Sequence, residues 1–287
     1  MYYEFENITK FLDGKRILIA GFGREGKSTL NFILKYVKNA IVTIGDEKDF
    51  NFGDEFAGVQ VSKLTGKDFW GNPDDFDIMI KSPGIALKNI PEEWKKTIKI
   101  SSQTDLLLRF FSKQVIGITG TKGKSTTSTL IHHLLVNNGI PAILAGNMGL
   151  PFFDYLFDAE NKKIVAELSS HQLEIINNSP AISVLLNIFP EHLDHYGNFE
   201  NLKAAFHQFI TQLPFYGFGV LCIDHPEVQA LMAKVIDRRV ISYGTSPQAD
   251  VRAVNIRQVS GAQVFDVEIS NRTTGEVKTL KDVKLPM

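Results

Sequence analysis

The stretch VIGITGTKGKSTTSTL, residues 115–130, decides the fold predicted for this chain. Its first five residues are mainly apolar and indicate a short buried strand. A loop rich in glycine follows at residues 120–126, and it contains Gly-Lys-Ser-Thr. A helical pattern comes next, and one predicted apolar face of it contains Leu130, Ile131, Leu134 and Leu135. A strand, a glycine loop and a helix in this order are typical of a phosphate-binding site.

The residue types of this loop suit the binding of phosphate. Backbone N–H groups of a glycine loop, together with the first turn of the following helix, can surround phosphate oxygens. Lys124 would reach the terminal phosphates, and the Ser125 hydroxyl would hold a Mg²⁺ ion. The alternative is a glycine turn that does no more than connect the strand to the helix.

A second glycine loop lies near the beginning of the chain. A predicted strand at residues 16–20 is followed by GFGREG at residues 21–26, which opens a helix. Asp46 follows the next strand about 20 residues later, where an acidic residue commonly holds a ribose hydroxyl. This loop predicts a Rossmann-type nucleotide site, and an NAD(P) oxidoreductase is one alternative. The strict spacing Gly-x₄-Gly-Lys-Ser fits residues 21–28 and not the loop at residue 120, so the pattern alone does not assign the two loops.

Composition limits the class of protein. The chain has 287 residues, of which 44% are hydrophobic and 22% charged, as in soluble proteins of one large or two ordinary domains. A formal net charge of −1 gives no reason to expect a nucleic-acid partner. The single cysteine, Cys222, cannot form an internal disulfide, and no apolar run reaches the roughly 20 residues of a membrane-spanning helix. We therefore expect a cytoplasmic protein that does not bind a membrane.

Predicted strands alternate with helices along the chain. The strands fall at residues 16–20, 41–44, 78–81, 115–119, 142–145, 163–168, 182–188, 219–223 and 240–243. This alternation predicts an α/β fold with a mostly parallel sheet and helices on both faces. We place a Rossmann-like domain at residues 1–103 and a P-loop domain at residues 104–287. Alternating residues on either side of the turn at 271–275 predict a β-hairpin that completes the second domain.

Polar segments follow several of these strands, and ligands in such folds collect at the carboxyl ends of strands. Glu167 is placed to bind Mg²⁺ beside Ser125, although a glutamate at a strand end is usually only solvated. The turn at residues 82–84 is another candidate, for which a plain Pro-Gly reversal is the alternative. The histidines at 171, 192 and 195 lack cysteines and a recognised zinc spacing, so we do not expect zinc.

Six stretches in order resemble the Mur ligase family. They are GFGREGKST (21–29), KSPGIAL (81–87), GITGTKGKST (117–126), AGNMGLP (145–151), ELSSHQLE (167–174) and NIFPEHLDHY (187–196). Within the family they are most similar to the branch that adds D-glutamate to UDP-N-acetylmuramoyl-L-alanine. The resemblance implies an ATP- and Mg²⁺-dependent ligase of peptidoglycan precursor synthesis that forms an acyl phosphate, which an amine then attacks. It implies no macromolecular partner, and we expect a monomer.

The resemblance also assigns residues to roles. It gives the second loop to ATP, the first loop to UDP, and catalysis to Lys124, Glu167 and His192. Ser125, Glu167 and His192 become metal ligands, and Asn147 lies with His192 on the side of the substrate. The implied ATP-binding residues are Gly120, Thr121, Lys122, Gly123, Lys124, Ser125 and Thr126. The implied residues for the UDP part are Gly23, Arg24, Asp46, Glu47, Ser82, Pro83 and Gly84.

Two departures from the family pattern keep alternatives open. Where the family has Ala-Ala-Lys, this chain has Phe206 after Ala204 and Ala205, in an apolar stripe that predicts a core position. The chain also ends about where a third family domain would begin, so we expect it to bind nucleotide without ligating. The alternatives are a nucleotide-binding relative without ligase activity, another branch with a different amino acid, and a simple P-loop ATPase or kinase.

Overall fold

A computed structural model of the chain describes residues 3–53, 56, 61–146, 151–235 and 237–286. It contains one sheet of five strands and one of nine, and helices lie beside both. The five strands of the first sheet all precede residue 102, and the nine of the second all follow residue 114. The predicted α/β class is confirmed. The domain boundary at residue 103 stays a prediction.

The first sheet is parallel, with strand order β3-β2-β1-β4-β5. Its elements are α1 (Tyr3–Leu12), β1 (Arg16–Ala20), α2 (Arg24–Tyr36), β2 (Ile41–Asp46), β3 (Ser62–Thr65), β4 (Ile78–Lys81), α3 (Glu92–Thr97) and β5 (Lys99–Ser101). The strand order changes direction between β1 and β4, and such a switch point opens a crevice at the carboxyl ends of the strands. The predicted glycine loop and the turn at residues 82–84 both begin there.

The second sheet has the order β14-β13-β12-β11-β10-β9-β6-β8-β7. It is parallel from β7 to β12, and β12, β13 and β14 pair antiparallel. Its elements are α4 (Gln103–Phe111), β6 (Val115–Thr119), α5 (Lys124–Asn137), β7 (Ala142–Gly146), β8 (Lys163–Glu167), α6 (Ser170–Leu173), β9 (Ile182–Leu185), α7 (Leu193–Tyr196), α8 (Phe199–Thr211), β10 (Phe218–Cys222), α9 (Pro226–Met232), β11 (Arg239–Gly244), β12 (Val251–Val259), β13 (Ala262–Ser270) and β14 (Val277–Pro286). The predicted terminal hairpin corresponds to β13 and β14.

Helix α8 packs against one face of this sheet. A Cβ atom added to Gly117 of β6 would lie 2.5 Å from Pro180 and 3.3 Å from the ring of Phe209, so the helix approaches the strand as closely as a glycine allows. Phe206 lies on the same side and has no exposed surface. The apolar stripe of α8 therefore forms core, as its spacing predicts.

Helix α5 covers part of the opposite face of the sheet. Ile131 and Leu135 pack against the strands, whereas Leu130 is 39% exposed and Leu134 60% exposed. The prediction of one apolar face that includes all four residues is wrong. Residues one position apart differ by about 100° around a helix. Leu130 and Leu134 therefore point away from the strands that Ile131 and Leu135 contact.

The two halves of the chain meet through aromatic packing. Helix α2 contacts two short 3₁₀ helices that precede β8: Phe32 lies 4.5 Å from Phe153, and Tyr36 stacks on Phe157 at 5.6 Å between ring centroids. A hydrogen bond of 2.7 Å joins the Ser28 hydroxyl to Asp154. Apolar contacts of this kind hold the first half against the second.

Replacement of Phe206 by alanine tests the core assignment. We expect Phe206→Ala to lower the free energy of unfolding by about 3–5 kcal/mol, because it removes a fully buried ring and leaves a cavity. The matched control is Phe215→Ala, whose ring is 88% exposed and whose loss should change stability by less than about 0.5 kcal/mol. Denaturant titration of both variants measures the difference, and equal costs would contradict the packing described.

Candidate functional site

The second glycine loop follows β6 and has the backbone of a phosphate cradle. Gly120 and Gly123 have φ angles of +137° and +87°, which side chains with a Cβ rarely adopt. Gly123 directly precedes α5, so Lys124 is the first residue of that helix. The Lys124 Nζ donates hydrogen bonds to the carbonyls of Gly120 (2.7 Å) and Thr121 (2.9 Å). The lysine thus lies across the mouth of the loop, at the positive end of the helix dipole.

A pair of residues that follow β9, Asn187 and Phe189, holds this loop in place. Neither was predicted from the sequence to do so. Asn187 accepts the N–H of Thr121 through its backbone carbonyl (3.0 Å) and the N–H of Lys122 through its side chain (2.8 Å). Phe189 donates its backbone N–H to the Thr121 hydroxyl at 2.9 Å. Their only sequence signal is their place in the stretch at residues 187–196.

Ser125 and Glu167 supply oxygen atoms of the kind that Mg²⁺ prefers. Glu167 is the last residue of β8, it is 2% exposed, and it pairs in register with Ile118 of β6, two residues before the loop. Ser125 lies in the first turn of α5. Among the described residues, no cluster of three or more histidine, cysteine, aspartate or glutamate side chains could hold a metal. Mg²⁺ in proteins usually takes few carboxylates and keeps phosphate and water as its other ligands.

His192 lies at the beginning of α7 with a φ angle of +52°, and its side chain is half exposed. Its nearest ring neighbour is His171 at 4.5 Å, and the ring of His171 also lies 4.3 Å from that of His195. Burial and the neighbouring histidines lower the pKa of His171 to about 4, so His171 is neutral at pH 7. The catalytic and metal-binding roles of His192 stay predictions, and Asn147 lies outside the described residues.

A cavity of about 540 Å³ lies at the carboxyl end of the sheet of the first half. It brings together three of the residues predicted for the UDP part: Asp46, Glu47 and Gly84. The Asp46 carboxylate accepts the backbone N–H of Phe22 at 2.8 Å and so fixes the first loop. Residues that the sequence did not indicate complete the lining, including Lys48, Lys67, Phe69, Trp70 and Asn89.

A second cavity, of about 240 Å³, lies between the two halves. The first half lines it with four further predicted residues, Gly23, Arg24, Ser82 and Pro83, and the second half with Gly146, Pro151, Ser169 and Gln172. The predicted residues for UDP thus divide between two neighbouring cavities. This second cavity also touches Gly146, which pairs in register with Glu167.

Glu25 lines the cavity between the halves and joins them. Its Oε1 accepts a hydrogen bond from the side-chain amide of Gln172 at 3.1 Å, whereas its buried Oε2 has no hydrogen-bond partner among the described residues. Burial raises the pKa of Glu25 to about 7, although Gln172 and the nearby Lys81 partly oppose that shift. A carboxyl group that titrates near neutral pH therefore faces the space where the two halves meet.

Glu25 makes stability depend on pH in a defined direction. Its pKa rises from 4.5 in the unfolded chain to about 7 in the folded one, so the folded chain binds the proton more tightly. The free energy of unfolding should therefore fall as pH rises from about 4.5 to 7, and Glu25→Gln should remove this loss. Relative to the wild type, we expect Glu25→Gln to gain about 2 kcal/mol between pH 5 and pH 8. Denaturant titrations at both pH values measure the gain, with the exposed Glu93→Gln as control; a gain independent of pH would contradict the assignment.

Comparison with known proteins gives the family. The family model of the Mur ligase middle domain matches residues 118–281, more than half of the chain. UDP-N-acetylmuramate–L-alanine ligase of Rhizobium meliloti (strain 1021) is 38% identical over 222 residues, which cover 75% of this chain and 47% of that protein. The enzyme of the same name from Agrobacterium fabrum (strain C58 / ATCC 33970) is 40% identical over 223 residues, with the same coverage. The chain spans about half the length of these curated relatives.

Solved structures agree with the fold. The ligase described as UDP-N-acetylmuramate:L-alanyl-gamma-D-glutamyl-meso-diaminopimelate ligase from Neisseria meningitides has a TM-score of 0.54 and 16% identity, over 93% of this chain and 87% of that one. MurF ligase from Thermotoga maritima, in complex with ADP, has a TM-score of 0.51 and 17% identity, over 95% of this chain and 56% of that one. In the described part of the chain, none of the helices has the length and apolar character needed to span a membrane.

The branch indicated by the sequence is not the one that these relatives represent. Both curated relatives are L-alanine ligases, so the D-glutamate branch is not confirmed and the alternative of another branch fits better. The family itself follows from the match to the middle domain and from the α/β fold of the two sheets. This chain belongs to the Mur ligase family.

Proposed function

We propose that this chain forms the nucleotide-binding part of an ATP-dependent amide ligase of peptidoglycan precursor synthesis. The observation that carries the proposal is a series of neighbouring sites, called here the line of sites. It runs from the 540 Å³ cavity, through the cavity between the halves, to Gly146, Glu167 and the second loop. Such a line fits a long substrate with a nucleotide at one end and a reacting carboxylate at the other.

Each end of this line has suitable chemistry. At the nucleotide end, Lys48 and Lys67 bring positive charge and Trp70 brings an aromatic face, which suit a diphosphate and a base. At the other end, Lys124 and the first turn of α5 would bind the phosphates of ATP. Ser125 and Glu167 would hold Mg²⁺, which when bound neutralises phosphate charge and so eases attack on the terminal phosphorus.

The proposed reaction is the one that the family resemblance implies. A carboxylate oxygen of the nucleotide sugar attacks the terminal phosphorus of ATP, the bond to the leaving ADP oxygen breaks, and an acyl phosphate forms. The amine of an amino acid then attacks the acyl carbon and inorganic phosphate leaves. The contribution of this chain is to hold the two nucleotides so that the carboxylate and the terminal phosphate meet, because positioning of this kind can supply roughly 7–11 kcal/mol of a barrier.

We propose L-alanine as the amino acid, with UDP-N-acetylmuramate as the nucleotide sugar. Support comes from the curated relatives, which carry that name at 38–40% identity. The second candidate is D-glutamate with UDP-N-acetylmuramoyl-L-alanine, the branch that the six family-like stretches taken together resemble most.

Substitution of the two loop lysines tests which loop takes ATP. Lys124 crosses the mouth of its loop, whereas Lys27 is the fourth residue of α2 and its Nζ lies 5.8 Å from the ring centroid of Phe22. A lysine bonded to phosphate contributes roughly 1.5–3 kcal/mol, so we expect Lys124→Ala to weaken ATP binding about tenfold to a hundredfold. Lys27→Ala should leave it within about threefold. Calorimetry with Mg·ATP decides, and a larger loss for Lys27→Ala would reverse the assignment of the loops.

A panel of nucleotide sugars tests the substrate. We expect the chain to bind UDP-N-acetylmuramate more tightly than UDP-N-acetylmuramoyl-L-alanine, because the L-alanine branch has no need to accommodate the added residue. UDP-N-acetylglucosamine, which lacks the lactyl carboxylate, and NAD are the controls, and both should bind more weakly. Preference for the L-alanine adduct would favour the D-glutamate branch. Tighter binding of NAD would support an oxidoreductase, and binding of ATP without any UDP-sugar would support a simple ATPase or kinase.

A further inference from the structure

Glu174, directly after α6, is the point where both halves of the chain share one carboxylate. Its side chain is 13% exposed. From the first half it receives an ion pair from Lys81 (3.2 Å) and the backbone N–H of Leu87, which lies 3.1 Å from each oxygen. From the second half it receives the Nε2 of His195 at 3.2 Å. Three groups from the two halves of the chain therefore contact a single side chain.

On the first half, this network holds the turn that lines both cavities. Lys81 is the last residue of β4, and its side chain is 1% exposed. Its Nζ also donates a hydrogen bond to the carbonyl of Ile85 at 2.8 Å, which closes the turn at residues 82–84. Burial lowers the pKa of Lys81, and the charge of Glu174 opposes that shift. The ammonium group that closes the turn is therefore stabilised by Glu174.

On the second half, the same carboxylate fixes the segment that begins at His192. The backbone N–H groups of His195 and Tyr196 both donate to the carbonyl of His192 at 3.0 Å, so His195 and His192 belong to one rigid turn. The ring of His171 contacts both histidines and fills the space between them. A second tether runs from the Lys88 ammonium to the carbonyl of Asp194 in the same turn.

We propose that Glu174 is a positioning residue that couples the turn at residues 82–84 to the segment of His192. Through this coupling, binding at the nucleotide-sugar site changes the affinity for ATP, and the reverse. The proposal rests on the proposed function, which assigns the turn at residues 82–84 to the nucleotide sugar and the second glycine loop to ATP. Phe189, three residues before His192, donates its backbone N–H to the Thr121 hydroxyl of that loop. A ligand that orders the turn through Lys81 changes the free energy of the His192 segment through Glu174. Coupling of this kind is reciprocal between the two ligands.

The measurement is the dissociation constant of a Mg·ATP analogue with and without saturating UDP-N-acetylmuramate. In the wild-type chain we expect the second ligand to change this constant about fivefold or more, the usual lower range for coupled sites. In Glu174→Gln we expect a change below about twofold, with each ligand alone bound within about threefold of wild type. The matched control is Glu200→Gln, a carboxylate of the same half that pairs with Lys203, and it should keep the coupling.

A second variant separates coupling from mere stability. Glu174→Gln removes the ion-pair partner of the buried Lys81 ammonium and should lower the melting temperature. Lys81→Met combined with Glu174→Gln removes that charge and should restore most of the loss. Coupling should remain absent in the double variant, because the link between the halves is still missing.

The outcomes are distinct. Full coupling in Glu174→Gln would overturn the proposal, and so would coupling that returns with stability in the double variant. Wild-type protein that binds both ligands without coupling would overturn this proposal alone. Wild-type protein that does not bind UDP-N-acetylmuramate would instead contradict the proposed function.

Discussion

The position of β6 between β8 and β9 is the constraint on which the site depends. Parallel pairing brings the carboxyl ends of the three strands to one edge, with Ile118 beside Glu167 and Thr119 beside Leu185. The glycine loop, a buried carboxylate and Asn187 consequently come within reach of one another. Gly117 makes this possible, since any Cβ at that position would meet Pro180. The absence of a side chain at Gly117 thus lets α8 pack closely on the strand.

The contact between the halves combines two kinds of interaction with different roles. The aromatic contacts of Phe32 with Phe153 and of Tyr36 with Phe157 bury apolar surface, and burial of that kind stabilises the contact. The ion pair between Lys81 and Glu174 is different, because the desolvation of two buried charges offsets most of their attraction. The contribution of this ion pair is specificity, because its two charges are paired in only one arrangement of the halves. Apolar packing therefore stabilises the contact between the halves, and the buried charges determine how the halves are oriented.

The sequence predicted what is local and missed what depends on strand order. The strands at residues 16–20 and 78–81, both glycine loops and the terminal hairpin follow from apolar runs and turn residues. Asn187 and Glu174 were not assigned roles, because each bonds to a group more than 60 residues away, and periodicity does not say which strands become neighbours. The split face of α5 was missed for a related reason. A helical pattern shows which residues are apolar, but the width of the sheet beneath decides which of them it covers.

The two glycine loops have similar sequences but different local structures. In the second loop the helix begins at Lys124, and its ammonium donates to the loop carbonyls of Gly120 and Thr121. In the first loop the helix begins earlier, at Arg24, and Gly26 is needed because a Cβ there would lie 2.0 Å from the carbonyl oxygen of Gly21. Lys27 is then the fourth helical residue, nearly one turn past the end that attracts anions. The strict phosphate-loop spacing thus occurs in the loop whose lysine lies within its helix, and the position of the helix start, not the spacing of the glycines, is the structural feature that distinguishes the two loops.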